Sequence, residues 1–143
     1  MFEIARSPAN GPVLPASIDL HAIESVFAQQ YCAADHWFGD LRSGLFRMGT
    51  TGARMHGLAN QDCGLLTLLR TYQKDDRIHI LQLLEKAATS PSKFCFCTHV
   101  VNDDGRFQPL ICIGESADFS DVASGTLTGL FIFPRFKVQG SHY

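Results

Sequence analysis

At Ser90-Pro91 the spacing of apolar residues changes from a helical period to strict alternation, and that change constrains the fold more than any other feature of the chain. Before it, Ile80, Leu81, Leu84 and Ala88 share one face of a helix that Asp75 or Asp76 can cap and that Pro91 stops. After it, Phe94 to Val101 and Phe107 to Gly114 read as two strands around Asn102-Asp103-Asp104-Gly105, where Asp-Gly is a strong hairpin signal. A last strand is predicted from about Thr126 to Phe136, with Pro134 near its end. Between these strands, Glu115 to Ser124 is acidic and rich in small residues, as a surface loop is.

Upstream, Trp37 to Leu41 and Leu45 to Met48 form a predicted hairpin through Arg42-Ser43-Gly44. Gly49 to Asp62 reads as a loop with short helical turns around Ala53–Leu58, and Leu65, Leu66, Leu68 and Leu69 as a short buried helix. Residues 1–16 carry Pro8, Pro12 and Pro15 without an apolar period, which suits an extended arm. From Ser17, an N-cap residue type, Leu20, Ile23, Val26, Phe27 and Tyr31 recur at helical spacing, predicting an amphipathic helix of about 14 residues within segment 17–36. Residues 37–138 then form the main domain, and 139–143 a tail.

These elements add up to an α+β fold, a five-stranded antiparallel sheet with helices on one face and an N-terminal amphipathic helix. Leu127, Phe131 and Phe133 alternate with Leu130 and Ile132, so both faces of the last strand are apolar, unlike a half-solvated sheet. One face packs on the helices; the other, provisionally Leu130, Ile132, Cys97 and Cys112, needs the N-terminal helix or a second subunit as its cover. A homodimer through that helix and the outer sheet face is the resulting expectation.

The 143 residues, 45% of them hydrophobic, fit one compact domain and not a disordered chain. Eleven phenylalanines promise an aromatic core or a cavity lined by one. A net charge of -2 is too balanced for a phosphate-binding surface, so nucleic acid is not an expected partner. No apolar run reaches the roughly 20 residues of a membrane span, and the opening stretch lacks a signal-peptide pattern, which predicts a cytoplasmic location.

Several stretches, in order, resemble the PAS domain over Trp37 to Phe136. Trp37-Phe38-Gly39-Asp40-Leu41 with Gly44 looks like its opening strand pair, and His56-Gly57-Leu58 like its short motif after the second strand. Tyr72-Gln73-Lys74-Asp75-Asp76-Arg77 is similar to the segment that starts its long helix, with Lys74 where a proline or glutamate is usual. Val100 to Gly105 resembles its Asp-Gly hairpin, and Gly125 to Leu130 its Gly-containing last strand. The resemblance implies a sensory or dimerisation module, here expected to stand alone, with a small apolar cavity between the long helix and the sheet. The ligand face is expected to include Phe94, Phe96, Ile111 and Ile113, together with Leu81 and Leu84 of the helix. A signalling protein partner is a further expectation, since no kinase, cyclase or DNA-binding segment is present.

The reactive residues each have a plainer reading. His79 stands where haem-binding members of the family place their iron ligand, but helical phase sets it beside Lys86 on the polar edge. Cys63 lies in Asn60-Gln61-Asp62-Cys63-Gly64-Leu65, which lacks the Asn-Cys-Arg-Phe-Leu-Gln core of flavin-binding members. Haem and flavin are therefore disfavoured, and no cofactor is expected. Cys95, Cys97 and His99 share one strand face; a two-residue Asp104-Gly105 loop would set Cys97 opposite Cys112 and collect three thiols with an imidazole. Such a group could hold zinc, but neighbours at i and i+2 lack the tight knuckle of structural sites, and the ordinary reading is packed, reduced thiols. No catalytic motif occurs, so an enzyme is not expected. The alternative is a small α+β enzyme whose aromatic-lined pocket uses His79 or one carboxylate as base.

Overall fold

The computed structural model describes residues 2–6 (backbone only), 31–116 and 125–135. The predicted N-terminal helix of residues 17–31, with Val26 and Phe27, lies almost wholly outside them, as do most of the loop before the last strand and the tail.

Among the described residues seven strands form one sheet: β1 (Phe2–Arg6), β2 (Cys32–Asp40), β3 (Leu45–Met48), β4 (Asp62–Gly64), β5 (Lys93–Val101), β6 (Phe107–Ser116) and β7 (Thr126–Pro134). Their order is β1-β5-β6-β7-β2-β3-β4, and every pairing is antiparallel. The five strands expected from the sequence are its contiguous centre, and one short strand is added at each edge. The extended arm supplies β1, whose backbone pairs with β5. Strand β2 starts at Cys32, so the last residues of segment 17–36 are strand and not helix.

Three helices, α1 (Thr50–His56), α2 (Leu65–Arg70) and α3 (Arg77–Thr89), lie between β3 and β5 in the chain. Helix α3 buries Ile80, Leu83, Leu84, Ala87 and Ala88. It stops at Ser90, which takes the extended backbone that a following proline imposes. Asp76 stands at its N-cap position but makes no cap bond; its carboxylate accepts the Thr98 hydroxyl at 2.6 Å and so ties the helix start to β5. Helix α1 takes its capping group from a strand: Gly52 donates its N–H to Asp35 Oδ2 at 2.6 Å. Side chains at Gly49 and Gly52 would run into that carboxylate, which explains the pair of glycines at the helix start.

The β5–β6 loop decides which side chains share a face. Gly105 takes φ 81°, its N–H bonds Asn102 O, and Asn102 N–H bonds Arg106 O, which closes a three-residue loop with a left-handed glycine. Val101 therefore pairs with Phe107, Cys97 with Ile111 and Phe96 with Cys112. This register is one residue away from that of a two-residue loop, and a one-residue slip moves every side chain of a strand to the other face.

Candidate functional site

The helix-facing side of the sheet carries a closed set of rings. Trp37 stacks between Phe46 and Phe131, with centroids 5.8 and 5.7 Å away and planes inclined by 29° and 26°. Phe94 lies 6.3 Å from Trp37 and is nearly parallel to Phe96. The floor beneath Trp37 and Phe94 is bare, because Gly114 and Gly129 face each other on β6 and β7. A side chain at Gly114 would strike the Phe94 and Trp37 rings, and one at Gly129 the Ile113 carbonyl and the indole nitrogen. Trp37 is buried, and its Nε1–H has no hydrogen-bond partner.

One polar pair crosses this interior. The Nδ1 of His56 lies 2.7 Å from Gly52 O, so it carries the proton and donates; Nε2 then accepts from the Tyr72 hydroxyl at 3.0 Å. Both side chains are buried, and the imidazole meets Phe131 and Phe133 edge-on at 4.7 and 5.4 Å. Burial lowers the His56 pKa to about 4, against the smaller opposing effect of its bond to Gly52. Burial likewise raises the Tyr72 phenol well above its usual range. At neutral pH the pair is uncharged, with each ring nitrogen of His56 in use.

The expected ligand face is divided by the register. Phe94, Phe96 and Leu84 lie in the helix-side core, with Leu81 packed against it. Ile111 and Ile113 are on the opposite side, against Cys32, Leu130 and Ile132. The four metal candidates are divided the same way. Cys112 is in the helix-side core, whereas Cys95, Cys97 and His99 alternate with the buried residues of β5 on the other face. Burial pushes the Cys95 thiol up to about 11, with Cys97 adding to it, so the thiolate that zinc needs is disfavoured there. Among the described residues no three His, Cys, Asp or Glu side chains come together as a metal site. On the outer face Cys112 is therefore replaced by Ile111 and Ile113, while Leu130, Ile132 and Cys97 stand as expected.

His79 is exposed on α3, outside the buried stripe of that helix. Cys63 is half-buried in β4, and burial raises its pKa, with Asp62 adding to the rise. His79 therefore points away from the ring set, whereas Cys63 pairs with Phe46 across β3 and β4 and packs against the edge of the same core.

No family model matches the chain, and no curated protein sequence does. Among solved structures, a sensory box histidine kinase/response regulator from Burkholderia thailandensis matches with a TM-score of 0.59 over 81% of this chain and 84% of its own, at 13% identity. The N-terminal domain of a diguanylate cyclase with PAS/PAC sensor from Marinobacter aquaeolei matches with a TM-score of 0.59 over 71% and 94%, at 12% identity. The fold is PAS-like. In this PAS-like frame the ring set and the buried stripe of the long helix α3 belong to one core on the same side of the sheet.

The sequence reading gave no role to Trp37 within this site, nor to the His56–Tyr72 pair. A signal for the first was present: isolated glycines inside two strand patterns, Gly114 and Gly129, mark places where another group approaches the backbone closely. The second had none, because two residues 16 apart in the chain meet only through tertiary packing.

Proposed function

We propose that the chain is a sensory signalling module that receives a small apolar ligand at the ring set between α3 and the sheet. The single observation that carries this reading is the PAS-like fold itself, enclosing an interior built from Trp37, Phe46, Phe94, Phe96 and Phe131. The signal is a population shift: the ligand favours one packing of the N-terminal segment on the outer sheet face, by an amount equal to its differential affinity for the two packings. The output is a change in self-association or in the docking of a signalling protein. Leu130 on that outer face is wholly buried, while Phe38 and Leu45 on the same face remain 47% and 45% exposed, so part of it stays available to a second copy. No described helix is long and apolar enough to cross a membrane, and we place the module in the cytoplasm.

Two measurements test the reading. A thermal-shift panel of small apolar molecules should contain members that raise the unfolding midpoint by several degrees at saturating concentration. Light scattering across a dilution series should show a dimer that Val26→Asp or Phe27→Asp weakens. A panel without a stabilising member, together with a monomer at every concentration, would sink the proposal.

A further inference from the structure

The unpartnered Trp37 indole says what kind of molecule this interior accepts. An unmet buried N–H is uncommon in folded proteins, and supplying an acceptor recovers its desolvation cost. The Cys112 thiol, whose pKa burial raises, lies close enough for the indole to lower it in part, but a neutral thiol is a weak acceptor and leaves the N–H without a partner of hydrogen-bonding geometry. Beside the indole, the Phe94 ring occupies the space over Gly114 that a side chain there would take. That ring is the end of a side chain with two rotatable torsions, and turning it away vacates a flat slot over two bare glycines, Gly114 and Gly129.

We propose that this slot takes a planar aromatic molecule with one hydrogen-bond acceptor on its edge, which displaces the Phe94 ring and accepts the Trp37 Nε1–H. The shape follows from the ring it replaces, flat against a glycine floor and flanked by the stack of Trp37 on Phe131. The acceptor follows from the orphaned donor. This inference rests on the interior ligand site proposed above and adds the chemical class.

Trp37 is the only tryptophan, so the protein has a single indole N–H cross-peak in a proton–nitrogen correlation spectrum. Quinoline and naphthalene share a shape and differ by one ring acceptor, which makes them the probes. Quinoline should move that cross-peak downfield and bind about tenfold tighter than naphthalene. In Trp37→Phe, followed by calorimetry, the two affinities should become equal. In Phe94→Leu, where the displaced group is smaller, both should bind tighter with the preference for quinoline kept. Equal affinities in the wild type would overturn the acceptor's role. If neither probe moves the cross-peak but an aliphatic alcohol such as 1-decanol does, the aromatic class is wrong and the interior site stands. If none of the three moves it, both proposals fall.

Discussion

Acidification from pH 7 to pH 5 should cost the fold about 2 kcal/mol through His56 alone. In the unfolded chain the imidazole has its ordinary pKa of 6.5, whereas burial among Phe131, Phe133 and Tyr72 lowers it to about 4. The unfolded state therefore binds the proton first. At pH 7 the imidazole is mostly neutral in both states and the stabilising contribution is nearly complete. At pH 5 roughly 97% of unfolded and 9% of folded molecules carry the charge, which drains about 2 kcal/mol; the loss approaches about 3 kcal/mol below pH 4. The assay is urea denaturation at pH 7, 6 and 5 for the wild type and for His56→Gln, which keeps an amide donor and acceptor but cannot titrate. The wild type should lose about 2 kcal/mol more than the variant across that range. Parallel losses in the two proteins would refute the argument that His56 is held neutral by burial.

Four further outcomes follow from the same interior. Tyr72→Phe leaves Nε2 of His56 without its donor and should cost about 1–3 kcal/mol by urea denaturation. Gly129→Ala should prevent folding, because the added methyl meets the backbone carbonyl of Ile113; Gly114→Ala meets the Phe94 and Trp37 rings, which can shift, and should cost about 1–3 kcal/mol, so circular dichroism should separate the two variants. Thr98→Val removes the hydroxyl bonded to the buried Asp76 carboxylate and should lower the thermal midpoint through a loss of about 1.5–3 kcal/mol. The purified protein should be colourless above 300 nm, as measured by its absorbance spectrum; a Soret band or a flavin spectrum would contradict this.

What the sequence made legible was what depends on period. Alternation and helical spacing identified the second half of β2 with β3, β5, β6 and α3, each of which buries a face that its own residues mark, and β7, which buries both. What it left illegible was what depends on one extra residue or on distant contacts. Asp104-Gly105 suits both a two-residue loop and the three-residue loop that forms, and the difference alone moved Cys112 inward and Ile111 and Ile113 outward. The carboxylate that caps α1 comes from Asp35 on a strand, 17 residues away, where no local capping pattern points to it. The edge strand β1 is only five residues long, too short for the alternation of Phe2, Glu3 and Ile4 to identify it, and its pairing with β5 is a tertiary choice.

The proposed sensory role requires that occupancy of the interior alter assembly at the outer face. Sedimentation equilibrium over a dilution series, with and without a molecule that raises the thermal midpoint, measures that coupling directly. The account predicts that the monomer–dimer constant shifts when the ligand is present, and that Val26→Asp abolishes the shift while the ligand still raises the midpoint. An association constant that is the same with the site filled and empty would contradict it.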